Sequence, residues 1–153
     1  MLLAARYVLP VSVPHIENGA VFVRDDKIVE IGELAALRAA HPDEEVRDFG
    51  LAALMPGFVD LHTHFEYTSM RGLVDDLPYA RWKLQVMELE RRLTAEDWSD
   101  SAFLGALEAV RSGITTIADI TDSGASLAAV QESGIRAHLF REVATMKKAH
   151  IPG

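Results

Sequence analysis

Met55-Pro56-Gly57-Phe58-Val59-Asp60-Leu61-His62-Thr63-His64 decides how the rest of the chain is read. Pro-Gly marks the start of a strand, and Phe58, Val59 and Leu61 form the apolar run of a strand covered on both faces. Side chains alternate along a strand, so His62 and His64 share one face and Thr63 takes the other. Their Cα atoms then lie roughly 6.5–7 Å apart. Two imidazoles at that separation can converge on one metal ion at about 2.0–2.1 Å each. The chemistry such a pair points to is metal-assisted hydrolysis. An arbitrary His-x-His is more often a pair of strand-end histidines with structural hydrogen bonds. Position shifts the balance here, because ligands bind at the C-terminal ends of parallel strands.

Two textures flank this stretch. Before it, residues 1–55 read as short strands joined by turns. Ala20-Val21-Phe22-Val23 and Lys27-Ile28-Val29-Glu30-Ile31 lie on either side of Arg24-Asp25-Asp26, which predicts a β-hairpin ended by Gly32. Glu33 to Ala40 predicts a short helix stopped at His41-Pro42, and Glu45-Val46-Arg47-Asp48-Phe49 alternates as another strand. After it, strands and helices take turns. Trp82, Val86, Leu89 and Leu93 recur at helical spacing, with Glu88 and Arg92 as an i,i+4 pair. Thr94-Ala95-Glu96-Asp97 predicts the capped start of a further helix, with Trp98, Ala102, Ala106, Leu107 and Val110 on one side and Ser112-Gly113 at its end. Ile114 to Ile120 is a β-branched strand, 125–133 a short helix stopped by Gly134, and Ile135 to Val143 a third strand. This alternation implies a parallel sheet.

A length of 153 residues fits one ordinary domain or two small ones. The net charge of −8, with no basic run longer than Arg91-Arg92 or Lys147-Lys148, argues against a nucleic-acid partner. No apolar run approaches the ~20 residues of a bilayer span. Arg6 interrupts the apolar start, so neither a membrane partner nor a secretory signal is expected. The lack of cysteine excludes disulfides and thiolate metal sites, and fits a cytoplasmic location.

Leu54 to His64 resembles the metal-ligand signature of the amidohydrolase superfamily. Arg71-Gly72-Leu73-Val74-Asp75-Asp76-Leu77-Pro78 and Trp82 resemble its cytosine/guanine/S-adenosylhomocysteine deaminase and chlorohydrolase branch. The resemblance reaches over nearly the whole chain, residues 144–153 excepted; it is specific for the superfamily and weak on substrate. It implies an α/β fold with a partial (β/α)8 TIM-type barrel, about the first three βα units, over residues 56–153. A small, partial β-sandwich module over residues 1–55 precedes it. It also implies that His62 and His64 are two ligands of a single divalent metal, Zn or Fe. A metal-activated water would attack an amidine-like carbon of a small-molecule substrate, a nucleobase or nucleoside, and ammonia would leave.

Further candidates follow from position. Glu66 and Tyr67, just past the histidines, are placed either at the substrate mouth or in a solvated loop. Arg71 falls in the segment that covers the site in the resembled enzymes, and either contacts an anionic substrate group or pairs with an aspartate. Asp119 and Glu142 close the second and third strands, where barrel residues face the site; the competing reading makes Asp119 a turn cap. Glu66, Arg71 and Glu142 are taken forward as substrate-binding candidates. Asp60 is read as a structural hydrogen-bonding group below the histidines, and Trp82 as core. No residue maps onto the family's acid/base group, and neither His138 nor His150 maps onto its later ligands, two histidines and an aspartate. Three strands cannot close a barrel and leave open edges. The expectation is therefore a front portion lacking its C-terminal barrel part, or a chain that associates with itself or with another. The alternative to a deaminase is an incomplete fragment that acts only through association.

Overall fold

The computed structural model describes residues 1–143. They fall into two compact units, one from Met1 to Pro56 and one beginning at Gly57.

In the first unit, Leu2, Ala4, Ala5 and Val8 are buried along strand β1 (Leu2–Val8), and Gly19 to Phe22 form a buried run along β2 (Ile16–Arg24). β2 and β3 (Lys27–Glu33) form the expected antiparallel hairpin, with Arg24 opposite Lys27. The two-residue loop needs a left-handed residue, which Asp25 supplies at φ +55°. Helix α1 (Leu34–Ala40) follows, then β4 (Val46–Asp48) and β5 (Ala53–Leu54), both parallel to β1. The sheet order is β3-β2-β1-β4, with β5 also on β1. Leu2, Ala4, Ala20 and Phe22 bury one sheet face against Leu37 of α1. The unit is thus a single mixed sheet under one short helix among the described residues.

The second unit is built from β6 (Phe58–Thr63), a 3-10 helix (Phe65–Met70), α2 (Tyr79–Glu90), α3 (Ala95–Arg111), β7 (Ile114–Thr121), α4 (Ser126–Ser133) and β8 (Arg136–Arg141). The three strands are parallel in the order β6-β7-β8. Thr94 caps α3 as its spacing predicts: the Asp97 N–H donates to the Thr94 hydroxyl at 3.2 Å, and the Thr94 N–H donates to the Asp97 carboxylate at 2.8 Å. Gly134 stops α4 at φ +69°.

The buried stripe of α3 is Ser101, Ala102, Gly105, Ala106 and Ala109, whereas Leu107 and Val110 are exposed. Of the expected stripe, Ala102 and Ala106 are therefore buried as expected, and Leu107 and Val110 are not. Small residues win because they let the helix approach the core of Ile117, Ala129 and Phe65 closely. At Gly105 a Cβ would sit 2.6 Å from Thr68 Oγ1 and 3.1 Å from the Phe65 Cα, so only glycine lets the 3-10 helix rest on α3.

β6 departs from expectation in one respect. It is an edge strand, hydrogen-bonded to β7 alone among the described residues, and Leu61 is 79% exposed. Phe58, Val59 and Phe140 are exposed as well. The apolar run suits a strand covered on both faces, and the described residues supply no such cover.

Candidate metal centre

β6 brings His62 and His64 out on one face at its C-terminal end. Their ring centroids are 5.1 Å apart and the planes 77° from one another. Between them and the sheet interior, Asp60 turns back on its own strand, its Oδ1 accepting the His62 N–H at 3.1 Å. That is the structural role expected of it.

Directly after His64 the chain turns into the 3-10 helix, and this turn is anchored on three sides. The buried Asp119 of β7 accepts the Phe65 N–H on Oδ1 at 2.8 Å. Burial pushes the Asp119 carboxyl above the ordinary aspartate range, against the pull of the Ser126 hydroxyl and the Phe65 N–H. Among the described residues its Oδ2 has no hydrogen-bond partner. Tyr67 lays its ring parallel to the His64 imidazole, 9° between planes and 5.2 Å between centroids. The Tyr67 hydroxyl donates to Glu90 of α2 at 2.8 Å. Burial and Glu90 together drive that phenol well above the usual tyrosine range.

The third anchor corrects an expectation. Glu66 is neither at a substrate mouth nor in a solvated loop, being 1% exposed. Its Oε1 accepts from the hydroxyls of Thr121 and Ser123 and from the N–H groups of Gly124 and Ala125, and its Oε2 from those of Asp122 and Ser123. Burial works to raise its pKa, but these donors outweigh it and hold the carboxyl below the ordinary glutamate range. The carboxylate thus ties the turn behind the histidines to the loop that opens α4. Arg71 is also placed elsewhere than expected. Its guanidinium is exposed and pairs with Glu108 of α3 at 2.5 Å, and it does not line the space in front of the histidines. The partner is a glutamate, not an aspartate.

That space is a cleft of about 690 Å³, lined by His62, His64, Tyr67, Trp82, Lys83 and Glu142 among others. Glu142 is the one substrate-binding candidate of the three that the structure brings to the histidines. Trp82, read as core, is half-buried and lines the cleft, and Tyr79 stacks beside it with ring centroids 6.0 Å apart. Helical periodicity marks the inward side of α2 but does not distinguish a core from a cleft wall. His138 is exposed on β8. His150 lies outside the described residues.

Two imidazoles on one strand face are suitable nitrogen donors for zinc or iron. Among the described residues no third histidine, aspartate or glutamate joins them to form a group that could hold a metal ion. The pair fits part of a coordination shell.

The Amidohydrolase family profile matches residues 53–151, which include β6 and both histidines. The chain belongs to the amidohydrolase family. A second match, over residues 19–43, is to an imidazolonepropionase-like composite domain of bacteria. A 5-methylthioadenosine/S-adenosylhomocysteine deaminase of Nitratidesulfovibrio vulgaris (strain Miyazaki F) is 37% identical over 123 residues, covering 79% of this chain and 28% of its own. A 5'-deoxyadenosine deaminase of Methanosarcina barkeri (strain Fusaro) is 40% identical over 128 residues, covering 81% and 28%. Among solved structures, an adenosine deaminase from Xanthomonas campestris with bound zinc aligns with a TM-score of 0.73 at 27% identity. That alignment covers 89% of this chain and 32% of the other. The mixed α/β fold is therefore shared with amidohydrolase-family deaminases, and the chain spans under a third of the length of these relatives. No helix among the described residues is long and apolar enough to cross a membrane.

Proposed function

We propose that this chain is the amino-terminal portion of a metal-dependent amidohydrolase that deaminates an adenosine-like nucleoside. The observation that carries the reading is the His62–His64 pair on one face at the C-terminal end of β6, within the stretch that matches the family. On this reading β6, β7 and β8 are the first three strands of a (β/α)8 barrel, and residues 1–55 are part of a small β-sandwich. His62 and His64 hold one divalent metal, zinc or iron. Such an ion, when bound, supplies a water acidic enough to ionise near neutral pH. The remaining ligands and the acid/base group come from the rest of the enzyme. The cleft volume of about 690 Å³ suits a nucleoside-sized small molecule, and Trp82 and Tyr79 offer flat apolar surface to a purine ring. Glu142 is placed to accept from a substrate hydroxyl or amine.

Elemental analysis of the purified chain tests the reading, beside a His62→Ala/His64→Ala double variant. Zinc or iron held by the natural chain and lost from the variant supports it. Metal held equally by both overturns it. Ammonia release from adenosine, 5'-deoxyadenosine and 5-methylthioadenosine then reports whether the chain turns over.

A second reading, a catalytically incomplete chain that works through association, has its own observation. Phe58, Val59, Leu61 and Phe140 are exposed, and the described residues complete no metal group. Sedimentation analysis separates the readings. A defined homo-oligomer that holds metal without releasing ammonia favours the second.

A further inference from the structure

We infer that Tyr67 is a positioning residue for His64. Its ring, anchored to α2 through Glu90, fixes the plane of the imidazole before any metal arrives. The inference rests on the reading of His64 as a metal ligand.

The two histidines are not held alike. His62 is exposed and meets His64 edge-on, at 77°. His64 is half-buried, and its ring lies parallel to a second ring at 9°. The torsion that turns an imidazole about its Cβ–Cγ bond is broad and only weakly restrained by itself. A parallel ring on one side removes that freedom, provided the plate itself cannot turn. The structure provides for this condition. The Tyr67 hydroxyl donates to Glu90 at 2.8 Å, Trp98 packs near its ring at 6.0 Å, and the Lys83 ammonium lies 5.8 Å from its ring centroid. The backbone beneath it is pinned by Glu66 in the 121–125 loop and by Asp119 on the Phe65 N–H. Histidine ligands are commonly oriented by a hydrogen bond to the nitrogen that does not face the metal. No such bond to His64 is recorded among the described residues, and a stacked phenol is what orients the ring instead. A pre-set ligand loses less freedom on binding, which appears as affinity.

The experiment uses the full chain in three variants, Tyr67→Phe, Tyr67→Leu and Glu90→Ala, each checked for an unchanged circular dichroism spectrum. Two quantities are read: the ring-proton NMR shifts of His64 without metal, and zinc affinity by calorimetry at one fixed pH. Tyr67→Leu removes the plate. The His64 ring protons should lose their upfield ring-current displacement, and zinc affinity should fall about 10–100-fold, the usual effect of losing a ligand-orienting partner. Tyr67→Phe and Glu90→Ala keep the plate but release its anchor. Each should weaken zinc by a smaller factor, and the double variant should do no worse than either alone, because both cut the same contact. Unchanged His64 shifts and zinc affinity in Tyr67→Leu would overturn the inference. If that variant does not fold, additive losses in the Tyr67→Phe/Glu90→Ala pair overturn it. If the natural chain takes up no zinc, the ring-proton shifts decide alone: displacement lost in Tyr67→Leu supports the positioning role, and displacement kept overturns it. Zinc bound equally by natural and variant chains sinks the positioning role alone.

Discussion

Glu66→Gln should destabilise the chain by about 3–6 kcal/mol while changing the side-chain volume hardly at all. The figure follows from the two oxygens. Oε1 receives Thr121, Ser123, Gly124 and Ala125, and Oε2 receives the N–H groups of Asp122 and Ser123. A glutamine keeps its one carbonyl oxygen where four donors converge and must place its NH2 where Oε2 was. Two backbone N–H groups then lose the oxygen they point at and face another donor. Each lost charge-assisted bond of this kind costs on the order of 1.5–3 kcal/mol net. The reverse orientation is worse, because four donors then meet the NH2. Urea unfolding followed by circular dichroism should show a lower midpoint at unchanged slope, the sign of a stability change without a change in the surface exposed. Glu66→Ala removes both oxygens and should rank below Glu66→Gln. Against a typical total of about 5–15 kcal/mol the loss is easily resolved. A Glu66→Gln chain within about 0.5 kcal/mol of the natural one, the usual range for an inconsequential surface change, refutes the idea that this carboxylate holds the turn behind the histidines.

Gly105→Ala places a methyl 3.1 Å from the Phe65 Cα and 2.6 Å from Thr68 Oγ1. It should cost about 1–3 kcal/mol by overpacking, measured by the same urea midpoint. Thr94→Ala removes the acceptor for the Asp97 N–H at the start of α3 and should cost about 1 kcal/mol. The Thr94 hydroxyl and N–H hold the Asp97 carboxyl below the ordinary aspartate range. Its contribution is therefore fully present above the unfolded pKa of about 3.9 and is lost as pH falls through the lower native value. The stability gap between the natural chain and Asp97→Ala should accordingly be constant from about pH 7 to 5 and shrink below about pH 4. Arg71→Ala breaks an exposed ion pair with Glu108 and should leave the urea midpoint within experimental error of the natural chain's.

What the sequence makes legible here is what short-range spacing encodes. Alternation over Phe58–His64 places both histidines on one face, the Thr94–Asp97 spacing caps α3, and Gly134 stops α4, each within a few residues. The parallel sheet follows from the order of such elements. On α3 the spacing places Ala102 and Ala106 inward, as found, but also Leu107 and Val110, which are exposed, because contact between helix and core is set by how near the backbone comes and not by side-chain size. Gly105 carries that nearness without an apolar signal. Glu66 shows the other gap. As a charged residue beside a predicted site it reads as exposed, yet its partners lie 55 to 59 residues further along. No local pattern announces them. Tyr67 is likewise apart from its anchor on Glu90, 23 residues away and on a different element. Direction along a strand is written in neighbouring residues; what holds that direction fixed is written in residues that only the fold brings together. The histidine pair was therefore visible, while the groups that make it a rigid pair were not. Glu66 acts in the loop it ties to the turn, whereas Tyr67 lines the cleft and is held there from α2.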